Sequence, residues 1–292
     1  MMVIVFKSVL LFALLFGLYL LVLSRLKMPA FNRYFLLCIP ILSLSIPFIP
    51  LVGFDQVKID LELHNLIGLE PIGIRTILLI IYIIVTSLFI GRFVHQLFIL
   101  IRQLRQNEKI KSAKTTIVLL NEPVVPHTFF RWIFVYAPDY KNNNIDPILF
   151  THEKAHVNQY HSLDVIFAQW VKILFWFNPV VFAWYNQLRL NHEYLADAVV
   201  IENHGKIDQY QRLLLHLVDP KPRLALVSSS TFSRTRTRFI MMGKQPRKPL
   251  QNLVKLTLVP LFVLLLFLFS NPNSSSEHSN GEHGREHHLH SK

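Results

Sequence analysis

Four apolar blocks dominate this 292-residue sequence, and each is about long enough to cross a bilayer, which takes roughly 17–25 residues. They run from about Val3 to Leu23, Phe35 to Val52, Ile72 to Ile90 and Leu253 to Phe269. Hydrocarbon offers no partner for backbone N–H and C=O groups, so blocks of this length are expected to be helices. The chain is 52% hydrophobic and only 16% charged, against about 25% charged in a soluble globular protein, which argues against both a disordered chain and a single soluble domain. The expected fold class is therefore a mainly α integral membrane protein with four transmembrane helices. No small-residue cleavage site follows the first block, which reads as an anchor. The second carries Pro40, Pro47 and Pro50, tolerated where neighbours satisfy the freed carbonyls. The pattern of the third continues as a helix past Arg92 to about Leu104, and Lys255 can snorkel to lengthen the fourth. The single cysteine, Cys38, excludes an intramolecular disulfide framework and a cysteine-based zinc site.

The net charge of +12 is explained by where the charges fall. Arg25, Lys27 and Arg33 separate the first two blocks with no acid among them. Asp55, Asp60, Glu62 and Glu70 outweigh Lys58 and Arg75 before the third. Arg102, Arg105, Lys109, Lys111 and Lys114 follow it, and nine basic residues with no acid lie between Lys221 and Lys255. The positive-inside rule then gives both termini outside, the first and third loops inside and the second loop outside. That topology suits a multi-pass protein of the bacterial plasma (inner) membrane. The Arg234, Arg236, Arg238 cluster reads as a juxtamembrane patch on acidic membrane lipid. No nucleic-acid-binding motif accompanies it, so no direct nucleic-acid contact is expected.

The divisions expected are a three-helix transmembrane region over 1–104, a cytosolic domain over 105–251, a fourth helix over 252–270 and a disordered tail over 271–292. The tail carries five of the 14 histidines, His278, His283, His287, His288 and His290, and reads as a solvated segment or a weak metal-scavenging tract. The domain between helices three and four is expected to be α+β. Thr116–Leu120 and Thr128–Tyr136 read as strands punctuated by Pro123, Pro126 and Pro138. Asp146–Pro147 and Asn178–Pro179 are helix starts, the second helix running to about Asn203 with Gly205 as its stop. Between them, Phe167, Trp170, Phe175, Trp176 and Phe177 suggest a core or membrane-surface helix. A re-entrant placement is the alternative, and it would bring the site described next to the membrane boundary.

Residues 152–156 read His-Glu-Lys-Ala-His. Residues i and i+4 share a helix face, so His152 and His156 can reach one ion about 2.0–2.1 Å away. Glu153 lies beside that ion and can take a proton from a water on it. With 14 His and 10 Glu in the chain, chance supplies this pattern roughly 0.02 times, so it is informative though not decisive alone. A catalytic zinc usually has three protein ligands. The candidate third is Glu193, with His192 as competitor. Asp197, one turn on, can accept the free N–H of a ligating histidine. His161 and Asp164 can act behind the ligands or have purely structural roles. The segment Phe129 to Val135 is either a candidate edge strand, on which an extended peptide could align, or an ordinary core strand.

The 152–156 motif, Trp176-Phe177-Asn178-Pro179, the Glu193-to-Asp197 segment and Phe239-Ile240-Met241-Met242 together resemble the BlaR/MecR-type antirepressor membrane metallopeptidases. The resemblance spans most of residues 1–270. It implies a cytosolic gluzincin-like zinc peptidase domain inserted between helices three and four. Its Zn2+ would be bound by His152, His156 and Glu193, with Glu153 as general base. It also implies proteolysis of a protein substrate, a transcriptional repressor or a protein linked to one, as the output of a signal. Only about 22 polar residues follow the fourth block, with no Ser-x-x-Lys nucleophile, so antibiotic sensing by acylation is not expected. The alternatives are a quality-control membrane gluzincin and a non-catalytic membrane sensor or scaffold.

Overall fold

Helix-forming blocks and capped starts set the order of elements in the computed structural model, which describes residues 2–51, 73–112, 114–217 and 225–272. The acidic loop with Asp55, Lys58, Asp60, Glu62 and Glu70 lies outside the described residues, as do the tail histidines from His278 to His290. Among the described residues, four helices are long and apolar enough to cross a membrane, over Val3–Arg25, Pro29–Phe48, Thr76–Gln106 and Lys248–Phe269. The helices behind them are α1 (Met2–Leu21), α2 (Pro29–Ser45), α3 (Gly73–Gln106) and, at the far end of the chain, α10 (Lys248–Phe269). Pro40 sits within α2, and a 3-10 turn over Ile46–Phe48 prolongs that helix.

Two sets of contacts fix the relative direction of these helices. Lys7 Nζ donates to the Ser270 carbonyl at 3.2 Å, and Pro50–Leu51 pairs in parallel with Asn271–Pro272. The start of α1 and the ends of α2 and α10 therefore share one end of the bundle. At the other end, Lys27 Nζ donates to the carbonyls of Met242 and Lys244 at 3.1 and 2.8 Å, and Gln251 Nε2 donates to the Lys27 carbonyl at 2.9 Å.

Between α3 and α10 lies a four-stranded sheet followed by helices. The strands are β1 (Glu108–Ser112), β2 (Thr115–Leu120), β3 (His127–Phe129) and β4 (Trp132–Tyr136). Their spatial order is β1-β2-β4-β3, with β2 and β4 parallel and both outer strands antiparallel to their neighbours. The inner strands are apolar on both faces. Ile117, Leu119, Ile133 and Val135 pack with Val157, while Val118, Leu120 and Phe134 pack against Leu104 at the end of α3.

Two strand readings are corrected. Thr128–Tyr136 is a hairpin, not one strand, because Phe130 turns the chain with a left-handed φ of 52°. The edge is consequently β3, and most of Phe129–Val135 lies in β4, inside the sheet, which is the core-strand alternative for that segment. Strand β1 was not expected. Its sequence, EKIKS, offers one apolar side chain, which is all an exposed edge strand requires.

The remaining helices are α4 (Ala137–Lys141), α5 (Pro147–Asn158), α6 (His161–Leu174), α7 (Pro179–His204), α8 (Ile207–Leu217) and α9 (Ala225–Gly243). The starts read from the sequence are made as expected. Asp146 accepts from the Ile148 N–H at 2.8 Å and Asn178 from the Val180 N–H at 3.0 Å. Gly205 closes α7 with φ 65°, a conformation that glycine reaches without a Cβ penalty.

Helices α6 and α7 form a hairpin that enters the apolar bundle. Ala168, Val171, Val181, Trp184 and Leu188 belong to the same core as Leu11, Phe12, Leu15, Leu36 and Ile39. Trp184 Nε1 donates to the Leu36 carbonyl at 2.9 Å, and its ring meets Phe12 edge-on at 5.9 Å. From the other side, Tyr82 Oη donates to the Leu174 carbonyl at 3.1 Å and Trp176 Nε1 to Thr86 Oγ1 at 3.2 Å. The tip, at Phe175 and Asn178, borders a small apolar cavity with Ser8, Phe12, Pro40 and Ser43. Phe12 is 11 residues from Leu23, about 16 Å of helix rise, so the tip lies alongside the first half of α1 and the last turns of α2. The aromatic run thus lies on helices packed into the core of the apolar bundle. At 14 residues α6 is too short for a fifth full span.

Candidate metal centre

The capped start of α5 sets the register that turns His152 and His156 towards α7. His152 and Glu153 are buried, and the two imidazole Nε2 atoms lie 3.1 Å apart. Glu193, midway along α7, brings Oε2 to 3.3 Å from His152 Nε2 and Oε1 to 3.9 Å from His156 Nε2. Among the described residues, these three side chains are the group of His, Cys, Asp or Glu whose ligand atoms converge as a metal site requires. Four ligands held tetrahedrally at 2.0–2.1 Å stand about 3.3 Å from one another, so the donor set fits a zinc-sized cation. His192 does not converge with them; its Nε2 faces Asp164 Oδ2 at 2.8 Å.

The protonation tendencies suit that use. Burial, followed by the neighbouring His152 charge, pushes His156 down to about 3, so it is neutral at ordinary pH, the form in which an imidazole can bind a metal. Burial alone would raise Glu193, but the hydrogen bond from His152 and the charges of His152 and Arg238 hold it well below the usual carboxylate range. Burial likewise would lower His152, yet Glu193 and Asp197 raise it above its ordinary value. A proton between His152 and Glu193 therefore stands where the cation would bind. Burial pushes Glu153 up to about 6. Its carboxylate accepts from Thr128 Oγ1 of β3 at 2.7 Å.

Behind each histidine stands a second group. Tyr210 Oη, from α8, lies 2.8 Å from His152 Nδ1 and donates to Asp197 Oδ1 at 2.6 Å. Its proton being committed to Asp197, the phenol oxygen is left to accept from the imidazole. Asp197 Oδ1 is itself 3.5 Å from His152 Nδ1, so Tyr210 mediates the contact expected of Asp197 directly. Arg238 of α9 grips Asp197 through Nε at 2.9 Å and Nη2 at 2.5 Å, and its Nη1 reaches Glu193 Oε2 at 3.2 Å. This corrects the reading of Arg238 as part of a lipid-facing patch: its side chain is 12% exposed and ion-paired. Its neighbours Arg234 and Arg236 are exposed. Behind His156, Nδ1 meets His161 Nδ1 at 2.8 Å, and the His161 ring stacks on His192 at 4.2 Å.

The ligand atoms face a cleft of about 500 Å³ whose walls include His127, Thr128 and Phe129 of β3 and Tyr185 and Arg189 of α7. The edge strand thus runs beside Glu153. Thr128, Tyr210 and Arg238 are the site residues that sequence reasoning missed. Each is a common residue in an unremarkable context, identified only by partners 25, 58 and 41 positions away.

Comparison with known proteins adds an independent observation. A search of curated proteins found no match. A family model described as BlaR1 peptidase M56 matches residues 69–242, which takes in α3, the sheet, the histidine-bearing helices and most of α9. The match covers more than half of the chain and every residue of the candidate centre, and the chain accordingly belongs to the BlaR1 peptidase M56 family of metallopeptidases.

Proposed function

We propose that this chain is a membrane-embedded zinc endopeptidase that transduces a signal by cutting a protein on the cytosolic face of the bacterial plasma membrane. The observation that carries the reading is the convergence of His152, His156 and Glu193 beside a buried Glu153, on the wall of a cleft edged by a free strand. A zinc ion on these three side chains would polarise a scissile carbonyl and acidify a water molecule. Glu153 takes the proton of the attacking water and passes it to the leaving amine nitrogen. Its pKa near 6 lets it be ionised at neutral pH and still basic enough for the task. Strand β3 holds the substrate backbone extended by adding it to the sheet edge. Tyr210, Asp197 and Arg238 keep His152 oriented, and Glu193 stays ionised as a ligand. A raised pKa on a buried carboxylate beside an open cleft favours an enzyme over a silent scaffold.

The charge pattern supports a cytosolic placement. The end of the bundle carrying Arg25, Lys27 and Arg33 is the end from which the peptidase helices emerge. Release of a transcriptional repressor is the output that the family connection suggests. A second reading, quality control of membrane proteins, is favoured by one observation, the entry of the α6–α7 hairpin into the bundle, which brings the cleft near the membrane boundary. The test is a proteomic comparison of cells carrying the wild type and Glu153→Ala. One or a few stabilised, repressor-like proteins support the signalling reading, and many stabilised membrane proteins support quality control. Identical proteomes and undiminished cleavage by purified Glu153→Ala would remove the peptidase reading.

A further inference from the structure

The turn between α5 and α6 is held from outside the peptidase domain. Arg33, near the start of α2, donates from Nε to Asp164 Oδ2 at 2.6 Å and from Nη2 to Asp164 Oδ1 at 3.1 Å. The same Nη2 donates to the main-chain carbonyl of Gln159 at 2.8 Å. Gln159 and Asp164 bracket the turn. Within it, Tyr160 is left-handed at φ 55° and 65% exposed, a conformation that is unfavourable for a non-glycine residue and persists only where the surroundings impose it. Arg33 supplies that constraint with one guanidinium whose donors fit both acceptors.

His161 follows in the same turn, and its ring completes a directed chain of hydrogen bonds. If His156 gives Nε2 to a metal, its proton must sit on Nδ1. That proton points at His161 Nδ1, 2.8 Å away, which must then accept. The His161 proton is thereby placed on Nε2, which lies 3.1 Å from Gln159 Oε1, an acceptor. Asp164 secures the other side by accepting from His192 Nε2, whose ring stacks on His161. Each member of the chain has the complementary partner it needs.

We infer that Arg33 is a positioning residue for the metal centre. By clamping the α5–α6 turn it makes His161 hold the His156 ring in its ligating tautomer, so the geometry of a metal ligand depends on where the second apolar helix sits. This rests on the reading of His152, His156 and Glu193 as ligands, and it gives a membrane helix a direct mechanical route to the site.

The experiment uses the full-length protein in detergent or lipid nanodiscs. Zinc affinity is measured by chelator competition, and ligand geometry by the visible absorption of the cobalt-loaded protein. Arg33→Gln and Arg33→Lys should each lose about ten- to a hundredfold in affinity and shift the cobalt bands. Lysine keeps the charge and the ion pair but cannot serve the carboxylate and the carbonyl with one planar fork. Asn191→Ala is the control. It removes the 2.9 Å bond from Asn191 Nδ2 to the Pro29 carbonyl, another tie between α2 and the peptidase helices that does not touch the ring chain. Its affinity and spectrum should match the wild type. Should Arg33→Gln fail to fold, Arg33→Lys decides. Wild-type affinity and spectrum in Arg33→Lys overturn the inference, as does an Asn191→Ala protein that loses affinity to the same extent. His156→Ala separates the two readings: if it binds zinc as the wild type does, the ligand assignment fails, and if it loses zinc while the Arg33 variants keep it, only the positioning role fails.

Discussion

As the proposed general base, Glu153 must satisfy two conflicting demands, being ionised near neutral pH and basic enough to capture a proton. Burial raises it to about 6, and the Thr128 hydroxyl opposes a further rise by donating to the charged form. The acid limb of kcat/KM should therefore lie near pH 6, with activity lost as pH falls through it. Thr128→Val removes the donor and favours the protonated acid, so the limb should move upward by about one pH unit, as a pH–rate profile would show. Glu153→Ala should retain metal and lose about a hundredfold or more in turnover, and metal analysis of the inactive protein separates the two effects. Metal binding has its own pH dependence. His156 stays neutral down to about 3, whereas His152 is held above its ordinary value of 6.5 by Glu193 and Asp197. Zinc must displace the His152 proton, so affinity should fall as pH drops from above about 6.5, long before His156 protonates. Chelator competition between pH 5 and 8 measures this, and an affinity flat across that range would exclude His152 as a ligand.

Helix α7 joins the two halves of the protein, carrying Trp184 in the apolar bundle and Glu193 and Asp197 at the site on one 26-residue rod. Helices α8 and α9 brace it through Tyr210 and Arg238. Tyr210→Phe keeps the ring and removes the only group within 3 Å of His152 Nδ1 among the described hydrogen bonds. Zinc affinity should fall about ten- to a hundredfold with little change in melting temperature, as competition and thermal denaturation would show. Wild-type affinity in that variant would mean that Asp197 serves His152 directly. The parts of the site visible in the sequence are those set by local spacing. His152 and His156 share a face because the helical repeat places them there, and Asp146, Asn178 and Gly205 mark helix ends because their side chains or lack of one act within a few residues. The four apolar helices were legible for the same reason, since a bilayer demands a contiguous run. The Phe130 reversal, the polar edge strand β1 and the pairing of Arg238 with Asp197 depend on distant partners, and no local pattern distinguishes Arg238 from Arg236. The aromatic run was ambiguous because core, interface and lipid all accept Phe and Trp.

At the scale of the molecule, the chain has one basic end and one end defined by Lys7, Ser270 and the Pro50–Leu51 pairing with Asn271–Pro272. The α6–α7 hairpin starts beside the candidate metal site and reaches back towards the second end. If the four long helices span a membrane, the tip of this hairpin must lie within the bilayer although neither of its helices crosses it. Cysteine accessibility tests this. With Cys38 replaced by serine, single cysteines would be placed at Tyr160 in the α5–α6 turn, at Phe177 in the hairpin tip and at Ser279 in the terminal segment. Tyr160 and Phe177 are 65% and 42% exposed, so packing alone leaves either open to a reagent in water. In sealed vesicles of known orientation, a membrane-impermeant maleimide should reach position 160 from the cytosolic side only and position 279 from the opposite side only. Position 177 should resist it from both sides and react once detergent strips the lipid, because the thiol there is shielded by hydrocarbon rather than by protein. Labelling of 177 from the cytosolic side at the rate of 160 would place the hairpin over the membrane surface instead of within it. Labelling of 160 from the outer side would invert the topology and remove cytosolic substrates from reach of the metal centre.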